Sequence, residues 1–217
     1  MQIFLDTANL EDINLCAESG LIDGITTNPT LIAREGVELK QRILEILEIV
    51  DGPVSVEVVT SDPKLMLEQA LEYASWHPNV YVKLPCTPDG LSVLKILKTK
   101  KIKVNMTLVF SLAQAVCCAK LGADFVSPFI GRLDDIGQDG MELVASIQES
   151  FQKYGLKTQV LAASIRSVQH ITESMIVGAD IATIPVSIFH KMLRHPLTDT
   201  GQAKFLADYI NTTHAQS

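Results

Sequence analysis

The chain has 217 residues, 47% of them hydrophobic and 20% charged, a length that suits one α/β barrel and a composition that excludes global disorder. Its 18 Lys and Arg against 25 Asp and Glu leave a net charge of −7, which excludes the basic footprint that nucleic acid or an anionic membrane surface requires. Any anionic ligand must therefore be met by a local cluster of cations.

Eight short β-rich runs follow one another along the chain, at Gln2–Asp6, Gly24–Asn28, Val54–Val59, Val80–Pro85, Val104–Val109, Phe125–Ile130, Gln159–Ser164 and Ile181–Val186. Helical patterns lie between them: Ile43, Ile46, Leu47 and Val50 share a face, as do Leu67, Ala70, Leu71 and Ala74, and Leu143, Ile147 and Phe151 share another. Asp62 followed by Pro63 predicts a helix start with a capping side chain and Pro at the first position. Strand–helix alternation implies a parallel sheet, and eight such units without a Gly-rich dinucleotide fingerprint point to a single (β/α)₈ barrel, one domain over residues 1–217. A further helix, over about 199–210, carries Phe205, Leu206, Tyr209 and Ile210, and either caps the barrel or docks on a neighbouring subunit.

The opening MQIFLDTANL meets Asp6 at once and has no basic n-region, and the apolar run from Leu108 to Ala119 is broken by Ser111 and Gln114, so neither a signal peptide nor a membrane span is expected. Cys16, Cys86, Cys117 and Cys118 form no CxxC pair and read as reduced cytoplasmic thiols. The histidines, His77, His170, His190, His195 and His214, offer no HExxH or His-x-x-x-His spacing, so no metal centre is expected.

Side chains in a barrel strand alternate between the helix layer and the interior. Splitting each run by parity puts Ser55, Glu57 and Val59 opposite Val54, Val56 and Val58, and Tyr81, Lys83 and Pro85 opposite Val80, Val82 and Leu84. The same split collects Asp6, Asn28, Asn105, Thr107, Ser127, Phe129 and Ser164 with Glu57 and Lys83 toward the C-terminal strand ends, where barrel active sites sit. A plainer alternative is a buried ion pair of Lys83 with Glu57 or Asp6 that only fixes strand register. Two carboxylates, a lysine and several hydrogen-bonding groups exceed what such a device requires. Desolvation of a lysine favours its neutral amine, the form that attacks a carbonyl, so Lys83 is a Schiff-base candidate. Asp6 or Glu57, working through a water held by Thr107, could supply the proton shuttling that carbinolamine formation and C–C cleavage need.

At these residues the sequence resembles the small transaldolases, the family that also contains the fructose-6-phosphate aldolases. The resemblance runs through FLDTAN, GITTNPTLI, VKLP, NMTLVFS, SPFIGRLDD, LAASIR and IPVS, in that order. It implies an imine on Lys83, a proton-handling Asp6, and a Glu57 that activates water together with Thr107. It further implies that Asn28, Asn105 and Ser127 hold the hydroxyls of a three-carbon fragment, and that Arg132, Ser164 and Arg166 form a phosphate clamp. For each arginine the alternative is an ion pair with Asp134 or Asp135.

The resemblance also separates two branches. The aldolase branch typically has Gln where this chain has Glu57 and Tyr where it has Phe129, so the implied reaction is transfer of a dihydroxyacetone unit between sugar phosphates in the pentose phosphate pathway, with no cofactor. The rivals are a lyase that releases free dihydroxyacetone and a non-catalytic sugar-phosphate-binding barrel. A homo-oligomer, a pentamer or a decamer, is the implied assembly.

Overall fold

Residues 1–214 are described in the computed structural model, their side chains as far as residue 212. β1 (Gln2–Asp6) leads into α1 (Leu10–Ala17), whose first turn is closed by the Asn9 side chain accepting from the Asp12 amide. β2 (Gly24–Thr26) is followed by two helices, α2 (Pro29–Glu35), capped by Asn28, and α3 (Leu39–Ile49), capped by Glu38. Strict alternation then runs through β3 (Val54–Glu57), α4 (Pro63–Ala74), β4 (Val80–Pro85), α5 (Pro88–Thr99), β5 (Val104–Val109) and α6 (Leu112–Lys120). Asp62, Thr87 and Ser111 cap those three helices, and Pro63 and Pro88 stand where a missing N–H is harmless. β6 (Phe125–Pro128) enters the short α7 (Ile130–Asp134) and then α8 (Gly140–Tyr154), before β7 (Gln159–Ala162), α9 (Val168–Ile176), β8 (Ile181–Ile184), α10 (Val186–Met192) and α11 (Pro196–His214).

The eight strands form a closed parallel barrel in chain order, with β8 returning to β1 through a register from Gln2 opposite Ile181 to Leu5 opposite Ile184. β1, β4 and β5 have the expected bounds, whereas β2, β3, β6, β7 and β8 each end two residues early. The departing residues take up other work. Asn28 caps α2, Ile130 begins α7, Pro185 has no ladder donor to offer, and the Val59 amide donates to the Gln69 side chain with Val59 itself exposed.

Two apolar layers result. The outer one packs helices on the sheet through residues such as Leu5, Ile25, Val56, Val82, Met106, Val126 and Ile184. The buried stripe of α4 is Met66, Ala70 and Tyr73, and of the expected face Ala70 is fully buried, Leu67 and Ala74 pack against the core and Leu71 is exposed; the Tyr73 ring meets Trp76 at 4.6 Å. Inside the barrel, Phe4, Phe125, Leu161, Ala163 and Ile181 form a separate cluster. Tyr81 stacks on Phe125 at 4.6 Å, and Phe4 meets the same ring edge-on at 6.1 Å. Space for Phe4 depends on Gly24, where a Cβ would lie 2.7 Å from the ring and from the Pro53 carbonyl. These rings plug the interior below the polar side chains that follow.

Candidate active site

Three neighbouring strands bring Glu57, Lys83 and Asn105 into one register row. Lys83 is 5% exposed. Its Nζ lies 2.9 Å from Glu57 Oε2 and donates to the Thr27 carbonyl at 3.2 Å. On β1, Asp6 accepts a hydrogen bond from Thr26 Oγ1 at 2.9 Å, and Thr26 Oγ1 lies 2.6 Å from Thr183 Oγ1 on β8. Burial pushes the Asp6 carboxyl above its ordinary range; the Lys83 charge and the Thr26 hydrogen bond oppose this in part, and the Glu57 charge adds to it.

Deeper in the same wall, Asn105 Nδ2 donates to Ser55 Oγ at 3.1 Å, and Ser127 Oγ donates to Asn105 Oδ1 at 2.7 Å. The Asn105 side chain is fully buried and its bonds run to these two hydroxyls, so it orients Ser127 rather than facing open space. Thr107 is also fully buried, and its Oγ1 has no hydrogen-bond partner among the described residues. An unmet buried hydroxyl is costly.

A cavity of about 160 Å³ opens above the aromatic floor, lined by Asp6, Asn28, Lys83, Ser127, Phe129, Arg132 and Ser164 with Thr26 and Thr183. A wider mouth of about 450 Å³ is bordered by Asn28, Thr30, Leu31 and Arg34 on one side and by Leu108, Phe129 and Arg132 on the other, with Glu57 and Lys83 at its base. Arg132 lies over the Phe129 ring, its guanidinium carbon 5.1 Å from the centroid, and Phe129 meets Phe110 edge-on at 5.8 Å.

Two expectations need correction. Ser164 does not reach the cavity by strand parity: Ala162 packs outward, while Leu161 and Ala163 face inward. Ser164 instead has φ +58°, a left-handed backbone that swings it to the cavity after β7 has ended. Arg166 does not line the cavity in this state. Its guanidinium makes two bonds to Asp135, at 2.5 and 2.6 Å, with both side chains about half exposed, the pairing that was its alternative. Arg132 has no such carboxylate partner among the described residues.

Thr26, Thr183, Leu108 and Arg34 were missed. Thr26 shares the parity of Asn28, and Thr183 is the sole polar residue of β8, so both carried a signal. Leu108 did not: it reaches the mouth through φ +57° at a register shift in β5 that sequence alternation cannot show. Among the described residues, no three His, Cys, Asp or Glu side chains come together as a metal site, and no helix is long and apolar enough to cross a membrane.

The barrel itself is widely shared. It superposes on an N-acetylmannosamine-6-phosphate 2-epimerase from Clostridium perfringens with a TM-score of 0.62 at 14% identity, over 94% of this chain and 93% of that one, a likeness of fold alone. Sequence comparison is more specific. Proteins named probable transaldolase from Lactiplantibacillus plantarum and Moorella thermoacetica are 50% and 51% identical to it over 209 residues, which is 96% of this chain and 96% and 97% of theirs. A third of the same name, from Parabacteroides distasonis, is 51% identical over 213 residues, covering 96% of this chain and 98% of its own. With the profile described as Transaldolase/Fructose-6-phosphate aldolase matching residues 3–216, the chain belongs to the transaldolase/fructose-6-phosphate aldolase family.

Proposed function

We propose that the chain is a transaldolase that carries a dihydroxyacetone unit on Lys83 from sedoheptulose 7-phosphate to glyceraldehyde 3-phosphate, giving erythrose 4-phosphate and fructose 6-phosphate. The observation that carries the proposal is the 2.9 Å contact between Lys83 Nζ and Glu57 at the base of a mouth whose rim holds Arg132, an arginine in no ion pair among the described residues. At that distance the ammonium can pass a proton to Glu57, and the neutral amine attacks the ketose C2 carbonyl. The carbinolamine loses water to the imine, with Glu57 returning the proton to the leaving hydroxyl through a water held by Thr107.

Asp6 then takes the proton of the C4 hydroxyl as the C3–C4 bond breaks. The electron pair of that bond moves into the enamine, and the four-carbon aldehyde leaves. Attack of the enamine on the incoming aldehyde reverses these steps: Asp6 returns its proton to the new hydroxyl, and hydrolysis frees Lys83. The imine is the electron sink, so the proposed reaction calls for no metal or organic cofactor. Asn28 and Ser127 would hold donor hydroxyls, with Asn105 holding Ser127. Arg132 and Ser164 would take the phosphate; Arg166 can join them only by releasing Asp135. The names of the relatives support transfer rather than cleavage, as do Glu57 and Phe129. We place the enzyme in the cytoplasm and in the non-oxidative pentose phosphate pathway, acting on sugar phosphates as a homo-oligomer, with neither nucleic acid nor membrane as a partner.

Two measurements test the reading. Borohydride in the presence of fructose 6-phosphate should attach a reduced three-carbon fragment to Lys83; an adduct mapped to another residue would remove the mechanism. A coupled assay for erythrose 4-phosphate should then exceed, by a wide margin, an assay for free dihydroxyacetone run without acceptor. Free dihydroxyacetone as the main product would assign the chain to the lyase side of its family.

A further inference from the structure

The wall of the mouth opposite Arg132 is formed by α2, which is capped at its start by the site residue Asn28 and at its end by Gly36 in a left-handed conformation. Thr30, Leu31 and Arg34 lie on one face of that short helix, at the i, i+1 and i+4 positions, and all three line the mouth. Arg34 is exposed and makes no ion pair among the described residues. Its acidic neighbours are engaged elsewhere: Glu35 is held by Arg42 at 2.9 Å and by Asn9 at 3.4 Å, and both oxygens of Glu38 accept from the amides of Lys40 and Gln41. Arg132, across the mouth, also makes no ion pair among the described residues, whereas Arg166 is committed to Asp135. A chain with a net charge of −7 thus turns two guanidiniums, neither of them in an ion pair among the described residues, toward one opening, although Arg132 still acts on the Asp135 carboxylate at longer range. Alone, two like charges facing one space repel each other; a dianion between them removes that cost, and planar guanidinium forks suit phosphate oxygens.

We propose that Arg34 is a specificity-determining residue that binds the phosphate end of the sugar from the α2 side, so that the phosphate is held between Arg34 and Arg132 across the mouth. The proposal rests on the sugar-phosphate reading of this site, but it concerns recognition of the phosphate and not the covalent step. Because Asn28 caps α2, a phosphate drawn to Arg34 would act on the same helix whose cap lines the cavity. Phosphate recognition and donor placement then share one rigid piece.

Titration of the full chain with inorganic phosphate, which needs no turnover, should show binding weakened on the order of tenfold in both Arg34→Gln and Arg132→Gln, the scale of one lost charge-assisted hydrogen bond, and largely restored in Arg34→Lys, which keeps the charge. In steady-state assays Arg34→Gln should lower kcat/KM for glyceraldehyde 3-phosphate about tenfold more than for glyceraldehyde, the phosphate-free acceptor, with the loss mainly in KM. Wild-type phosphate affinity in Arg34→Gln, or equal losses for the two acceptors, would overturn the proposal. Failure of Lys83 to trap a ketose would remove the transaldolase reading while leaving the phosphate titration to decide on Arg34.

Discussion

Asp6 and Glu57 meet the same lysine on different terms. Glu57 holds the ammonium directly, whereas Asp6 is turned onto the Thr26 hydroxyl and held by burial above its ordinary value near 3.8. A carboxyl whose pKa is raised in the folded state favours folding while it is protonated, at pH below 3.8, and loses that contribution as pH rises through the raised value. Asp6→Asn keeps an acceptor for Thr26 and removes the charge. It is therefore expected to be more stable than the parent chain at neutral pH, with the gap closing toward acid, while transfer falls by about 10²–10⁴-fold for want of a proton shuttle. Thermal melts across a pH series check this, and a gap that does not change with pH would mean that the buried carboxylate carries no such penalty. The Lys83–Glu57–Asp6 constellation was legible from parity because all three stand inside regular strands. The place of Arg166 was not, because its partner Asp135 stands 31 residues away and the fold, not the local sequence, brings the two together.

Between the residue and the barrel, α7 is the element that sets the Arg132 side of the mouth. It has no side-chain cap and five residues, so its position depends on packing: Phe129 leads into it, Arg132 projects from it, and Gly131 lets the Arg166 side chain and the Ser164 carbonyl cross its backbone. A Cβ at Gly131 would lie 2.5 Å from both Arg166 Nε and Ser164 O. Gly131→Ala should therefore destabilise the fold by about 1–3 kcal/mol, the usual range for overpacking, and raise KM for phosphorylated acceptors by displacing Arg132 and Ser164 together. Urea unfolding and acceptor kinetics would test it; normal stability with normal KM would show that α7 shifts freely. Strand cores and the start of α4 were readable from the sequence, since alternation and Asp62 before Pro63 are local signals, whereas Asn28 before Pro29 reads as strand. Strand ends were not, because Asn28 and Ile130 leave the ladder to cap or begin a helix, and neither were the turns at Leu108 and Ser164, left-handed backbones that no residue type announces.

At the scale of the molecule, α11 is longer than the 199–210 expected and begins at Pro196. Leu197 and Phe205 are each 74% exposed and Leu206 60%, an amount of bare apolar surface unusual for a helix that only caps its own barrel. A chain ending near Thr198 should form smaller assemblies by light scattering than the full chain; an unchanged mass would mean that α11 stays on its own barrel. The hydroxyl contact between Thr26 and Thr183 joins residues 157 apart in sequence, whereas the ion pair of Lys83 with Glu57 joins consecutive strands. In time, then, the two halves of the site are not made together. The lysine and its carboxylate can meet as soon as one local βαβ unit forms, but the enclosure around Asp6 waits for the last strand to reach the first, the most entropically costly contact of a parallel barrel. A nascent or half-folded chain accordingly carries an amine beside a carboxylate but no walled cavity around Asp6, and competence switches on with closure of the β8–β1 seam rather than growing strand by strand.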